Sequence, residues 1–181
     1  WMASIPGMTV YAGHAELLSP AEGHALGELL RGSFGDRMVV GSAVGDGAGL
    51  AYSDFLIHPD GFGRFLLIDQ GLSPLVAGRM IQRLFEIEAY RMMALLAFPV
   101  ARRLSPRLLA IERSLATLAD SIAAESAREA GRDENLLQEL TRLAAEIESG
   151  LAASQFRFGA CRAYAELVRT RIGELRERRL T

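Results

Sequence analysis

Residues Ser73–Arg103, SPLVAGRMIQRLFEIEAYRMMALLAFPVARR, decide how the rest of the chain is read. Ser73 suits a helix N-cap and Pro74 the first helical position, because the serine hydroxyl accepts a free N–H and proline has none to lose there. Behind them Ala77, Met80, Ile81, Leu84, Ile87, Met92, Leu95 and Leu96 recur at roughly helical spacing, which makes one apolar face. Arg79, Arg83, Glu86 and Tyr90 take another side, with Arg83 and Glu86 three residues apart and within pairing reach. Pro99 is expected to kink or stop this helix near Phe98, because it lacks the N–H and its ring clashes with the preceding turn. The helix divides the chain into residues 1–72, part of an α/β sheet domain, and residues 73–181, a long-helix region.

Upstream, Met8 to His14 (MTVYAGH) reads as a strand. Ser19, Pro20 and Glu22 form a capping-box start, and Leu26, Leu29 and Leu30 give that helix an apolar face that ends near Gly32. From Arg37 to Asp69 the pattern turns to β: RMVVGSAV, a GDGAG turn, LAYSDFLIH, an HPDGFG turn and RFLLID. Phe65 to Ile68 is apolar at every position, as a central strand covered on both faces requires. Four strands with an open edge predict further sheet partners upstream of Trp1.

Downstream, Ser105-Pro106 predicts a helix over 106–130 with a heptad seam of Leu108, Ile111, Leu115, Leu118 and Ile122. Gly131 is expected to end it and Asp133 to cap a last helix over 133–178. There Leu137, Leu140, Ala144, Ile147, Leu151, Ser154, Phe158, Cys161, Ala165, Val168, Ile172 and Leu175 hold the three-four alternation unbroken. A helix of about 40 residues is about 60 Å long, and the preceding helix covers little more than half of it. The seam from Ser154 to Leu175 therefore needs the central helix, another chain or sequence beyond Thr181. The fold class is α+β: a small β-sheet with a helix, followed by long antiparallel helices forming a coiled-coil-like bundle.

Composition narrows the function classes. The chain has 181 residues, is 50% hydrophobic and 23% charged, and carries a net charge of -2. It is globular in type and has no basic field to recruit nucleic acid. All 20 cationic side chains are arginine, which excludes lysine Schiff bases and the lysine-dependent phosphate loop. Cys161 is the single cysteine, so it has no disulfide partner within the chain, and its seam position makes it an inert small hydrophobe. Met92 to Ala101 is the longest uncharged stretch of the helical half, well short of the roughly 20 residues a membrane span needs. The start Trp1-Met2-Ala3 has no secretory character and suggests a piece of a longer protein.

Candidate chemistry is sparse. Gly41 to Gly49 (GSAVGDGAG) is read as a hairpin turn, because a dinucleotide loop would need a helix directly after it. Asp46, Asp54, His58, Asp60 and Asp69 are weak candidates for metal ligands near one end of the sheet, with Asp46, Asp54 and Asp69 foremost. Asp is equally at home in turns, where it caps backbone groups. His14, His24 and His58 have no zinc-like spacing. Glu86 and Glu88, with Arg79, Arg83 and Arg91, are read as a structural charge network; positions two apart on a helix point about 200° from each other and do not converge for acid-base work. No catalytic residue and no cofactor is expected.

Val44-Gly45-Asp46-Gly47, Ser53-Asp54-Phe55, Ala77-Gly78-Arg79, QRLFEIEAYRMMALLAFPVAR with the following LSPRLLAIE, and LTRLAAEIE with FRFGACRAYAELVRTRI resemble a bacterial family of uncharacterised, predicted membrane-anchored proteins, domain of unknown function 3422. The likeness runs from about Arg37 to Arg179, and the central helix carries most of its specificity. It implies a soluble α/β region, then long helices, then apolar anchoring segments near the C-terminus, outside this chain. That layout is similar to the CorA-type metal-ion transporters in topology alone, which does not carry function. The expected role is a non-enzymatic region at the cytoplasmic face of a bacterial membrane, self-associating through its C-terminal helix. A regulatory domain of a CorA-like transporter and a metal- or nucleotide-binding domain at the sheet ends are the alternatives.

Overall fold

A computed structural model describes residues 6–19, 25–125 and 133–176. Its elements are β1 (Gly13–Leu18), α1 (Leu26–Phe34), β2 (Val40–Val44), β3 (Gly49–Ser53), β4 (Gly63–Asp69), α2 (Pro74–Leu95), α3 (Phe98–Glu125) and α4 (Asp133–Glu174). The fold is α+β, a four-stranded sheet in the order β1-β4-β3-β2 followed by long helices. β1 runs parallel to β4, and the other neighbours are antiparallel. Two compact units are distinguished, one from Trp1–Met93 with Ala163–Thr181 and one from Ala94–Arg162.

In the first unit the sheet is covered on both faces. Phe65 and Leu67 of β4 pack with Leu72 of the β4–α2 connection, Met80, Leu84 and Ile87 of α2, and Leu175 just past α4. Leu66 and Ile68 pack the other way, with Phe34, Tyr52, Leu29 and Leu30 around α1. This two-sided burial is why β4 has no polar residue between Phe65 and Ile68. α2 runs antiparallel to the end of α4: Tyr90 stacks on Tyr164, and Arg83 meets Glu174.

In the second unit α3 runs antiparallel to α4. Leu104 comes within 3.6 Å of where a Cβ on Gly150 would sit, and Arg107 pairs with Glu146. Among the described residues Ile111, Leu143 and Ser154 are the buried positions of this helix pair. Ser154 satisfies its hydroxyl within its own helix, on the carbonyls of Gly150 and Leu151.

Several expected boundaries are corrected. The first strand is Gly13–Leu18, not Met8 to His14, because those residues register against β4 from Gly13↔Gly63 to Leu18↔Ile68. α1 begins at Leu26, with Ala25 extended before it, and continues past Gly32 to bury Phe34. Gly35, at φ 68, then closes the helix on the Arg31 carbonyl. β3 stops at Ser53 and does not reach His58, because Phe55 takes a left-handed φ of 53. Pro20, Glu22, His24 and Gly131 lie outside the described residues.

The helix break is also displaced. α2 ends at Leu95, and Pro99 sits in the first turn of α3, where its missing N–H costs nothing. The helix expected to start at Ser105-Pro106 instead starts at Phe98 and runs through Pro106. The seam is covered differently as well. Ser154 and Leu175 are buried and Val168 packs on the first unit's core, whereas Leu137, Leu140, Ile147 and Leu151 are exposed.

Candidate functional site

The loop from Asp54 to Phe62 carries the most constrained polar cluster of the described residues. Ser53 Oγ donates to the Arg64 carbonyl and accepts the Phe55 N–H, at 2.9 and 3.1 Å. Asp54 Oδ1 accepts the Leu56 N–H at 3.2 Å. His58 donates its N–H to the Phe62 carbonyl and accepts from Gly61 N–H. The Asp54 and His58 side chains, 0% and 3% exposed, meet with Nε2 2.9 Å from Oδ2, although without hydrogen-bond alignment. Arg37 Nη1 donates to His58 Nδ1 at 2.6 Å and lies 3.9 Å from Asp54 Oδ2. The same Nη1 lies 3.4 Å from His58 Nε2, so the guanidinium sits over the edge of the ring that carries both nitrogens. The histidine is thus oriented but sealed from solvent, an arrangement that fixes the loop.

That loop displays Phe55, Leu56 and Ile57 to solvent. Phe55 also receives Arg91, whose Nη2 donates to the Phe55 carbonyl at 3.1 Å and whose guanidinium lies 5.8 Å from the ring centroid. Arg91 is held in turn by Glu88 through Nε and Nη2, both at 2.7 Å. Glu88 is buried, and the hydrogen bond to it, ahead of opposing desolvation, raises the Arg91 pKa. Tyr11 stands nearby, its hydroxyl buried without a partner among the described residues. Burial first, then the Glu88 charge, push its pKa up to about 12.

The expected metal candidates do not gather. Asp46 and Asp69 lie at the end of β3 where Gly49 pairs with Asp69, and Asp54 and His58 lie past its other end, at Ser53. This corrects the expectation of one shared end, because β3 carries the chain across the sheet between Asp46 and Asp54. Asp46 pairs with Arg176 at 2.9 Å, Asp69 Oδ1 caps the N–H groups of Gly71 and Leu72, and Asp60 pairs with Arg64 at 3.0 Å. Among the described residues no three His, Cys, Asp or Glu side chains are placed to share a metal ion.

The α2 charges separate into two networks. Glu88 joins Arg91 beside the sheet, whereas Glu86 meets Arg171 of α4. Arg83 pairs with Glu174, which Arg171 also holds, at 2.9 Å. Arg79 lines the same small recess. The pairing within the helix expected between Arg83 and Glu86 is replaced by these cross-helix contacts. Sequence reading missed Arg171, Glu174, Arg37 and Tyr11, whose partners are distant in the chain.

Between the sheet, α2 and the end of α4 lies an apolar cavity of about 360 Å³. Val44, Ala51, Phe65, Leu84, Ile87 and Leu175 form its walls, and Phe55 and Arg91 also line it. No described helix is long and apolar enough to cross a membrane. The family described as protein of unknown function (DUF3422) matches residues 1–181. No curated protein and no solved structure matches the chain.

Proposed function

The chain belongs to this family of proteins of unknown function, and we propose that it is a non-enzymatic assembly region whose second unit packs against a second copy of itself. One feature supports this above others. Leu108, Leu115 and Ile122 on α3 and Leu137, Ile147, Leu151 and Phe158 on α4 repeat along their helices and stay exposed. Leu108, Ile147, Leu151 and Phe158 line one groove of about 550 Å³ between the two helices. Two paired helices bury one stripe of each, and a second apolar row calls for further helices.

A second copy is the occupant that fits. Two such hairpins facing each other make a four-helix bundle, in which each covers the other's groove. A two-fold relation sets like rows on like rows. The groove carries Arg107 and Glu112 on α3 and Glu146 on α4, so a two-fold partner brings opposite charges to its rim. In this reading the anchor to the cytoplasmic face of a bacterial membrane, which the family resemblance implies, lies in segments outside this chain.

Light scattering on the purified 181-residue chain tests the assembly. A dimer or higher oligomer is expected, and Leu108→Glu with Leu151→Glu should convert it to a folded monomer. A wild-type chain that is monomeric at all concentrations, with its helices intact by circular dichroism, refutes it. The anchor is tested separately: a full-length gene without an apolar span of about 20 residues excludes a membrane-spanning anchor.

A further inference from the structure

We infer that the apolar cavity of the first unit binds a neutral, elongated amphiphile: an apolar chain ending in a hydroxyl or carbonyl oxygen. The pocket of about 360 Å³ walled by Val44, Ala51, Phe65, Leu84, Ile87 and Leu175 opens to solvent past the exposed Val40 and Phe55. Its size falls within the range of small-molecule sites, about 300–1,000 Å³. Walls this apolar do not hold ordered water, which needs two to four polar partners. An apolar body is therefore the occupant that satisfies them.

The polar end of the ligand follows from Arg91. Its Nε and Nη2 are taken by Glu88 and the Phe55 carbonyl. Nη1 makes no hydrogen bond among the described residues, and Arg91 lines the cavity. The two N–H donors of Nη1 are thus available on a guanidinium whose charge Glu88 already neutralises. A carboxylate there would gain Arg91 but meet the buried Glu88 charge a few ångströms behind it, in a medium that screens poorly. A neutral acceptor oxygen takes such a donor without that repulsion. The site is complete within one chain and does not depend on the assembly proposed above.

The test uses the full 181-residue chain with 1-decanol, sodium decanoate and decane below their aggregation limits, read by thermal shift and methyl NMR. 1-Decanol should raise the melting temperature in a concentration-dependent way and move the methyl signals of Val44, Leu84, Ile87 and Leu175. Decanoate and decane should each bind about tenfold more weakly or worse. Ala51→Phe should fill the cavity and abolish the response; Val168→Phe, on the half-buried rim of the same cavity, serves if the first variant does not fold. The inference is overturned by no response to 1-decanol, by a response that survives the filling variant, or by decanoate or decane binding as well as 1-decanol.

Discussion

Glu88 and Arg91 meet three residues apart on α2, each carboxylate oxygen receiving one guanidinium nitrogen at 2.7 Å. The two side chains are unequally buried, 3% exposed for Glu88 and 36% for Arg91. That inequality sets the cost of breaking the pair. Arg91→Met strands a buried carboxylate and should cost about 3 kcal/mol. Glu88→Gln leaves a half-exposed guanidinium that water can reach, so its cost should be about 1 kcal/mol. Urea unfolding of both variants checks the order, and equal losses would contradict it.

Tyr11 predicts an alkaline limit. Its folded-state pKa is raised from 10.0 to about 12, so the folded chain holds the phenolic proton more tightly than the unfolded one. The associated stability is full below about pH 10 and is lost as pH rises towards 12. Tyr52, also raised by burial, contributes with the same sign. Tyr11→Phe should therefore reduce the alkaline slope without abolishing it. It should also gain about 1 kcal/mol at neutral pH, by removing a buried hydroxyl that has no partner. Denaturant titrations at pH 8, 10 and 11.5 read both effects.

Asp54 should matter more than its place in a loop suggests. Asp54→Ala removes the acceptor of the Leu56 N–H and the carboxylate against the buried His58. A loss of about 2–3 kcal/mol is expected, together with faster proteolysis between Asp54 and Phe62 in the native state. Asp60, held below the usual carboxylate pKa by the Phe62 N–H and then by Arg64, acts in the opposite pH direction from Tyr11. Its contribution is present above the ordinary aspartate pKa and fades as pH falls through the lower folded value. Asp60→Asn should flatten the acid limb of the stability profile.

Pro106 lies inside α3 and deprives the Arg102 carbonyl of its helical N–H partner. Pro106→Ala restores that donor, and the melting temperature should rise by several degrees, corresponding to about 1–3 kcal/mol. An unchanged or lower melting temperature would refute a cost of the proline at this position.

Much of the molecule was legible where a pattern is local. The unbroken apolar run of β4 announced a strand buried on both faces, whereas the single charge network expected of Glu86 and Glu88 is split in two, one meeting Arg171 and the other Arg91. The Gly41–Gly49 stretch joins β2 to β3 as a hairpin. Other features were hidden because they depend on partners. β1 moved from Met8 to His14 onto Gly13–Leu18 because pairing with β4, not local propensity, selects its register. Ser105-Pro106 carried a valid start signal, but the α3 helix had already begun at Phe98.

By itself the sequence determined the α+β class, the central strand and the long helices, since each follows from the spacing of apolar residues along one element. Only the tertiary structure decided that Asp54 meets His58 while Asp46 meets Arg176, which part of the α4 seam is covered, and that a cavity lies beside Arg91. Those outcomes depend on which residues distant in the chain arrive together, and burial and charge pairing act on that proximity rather than on sequence spacing.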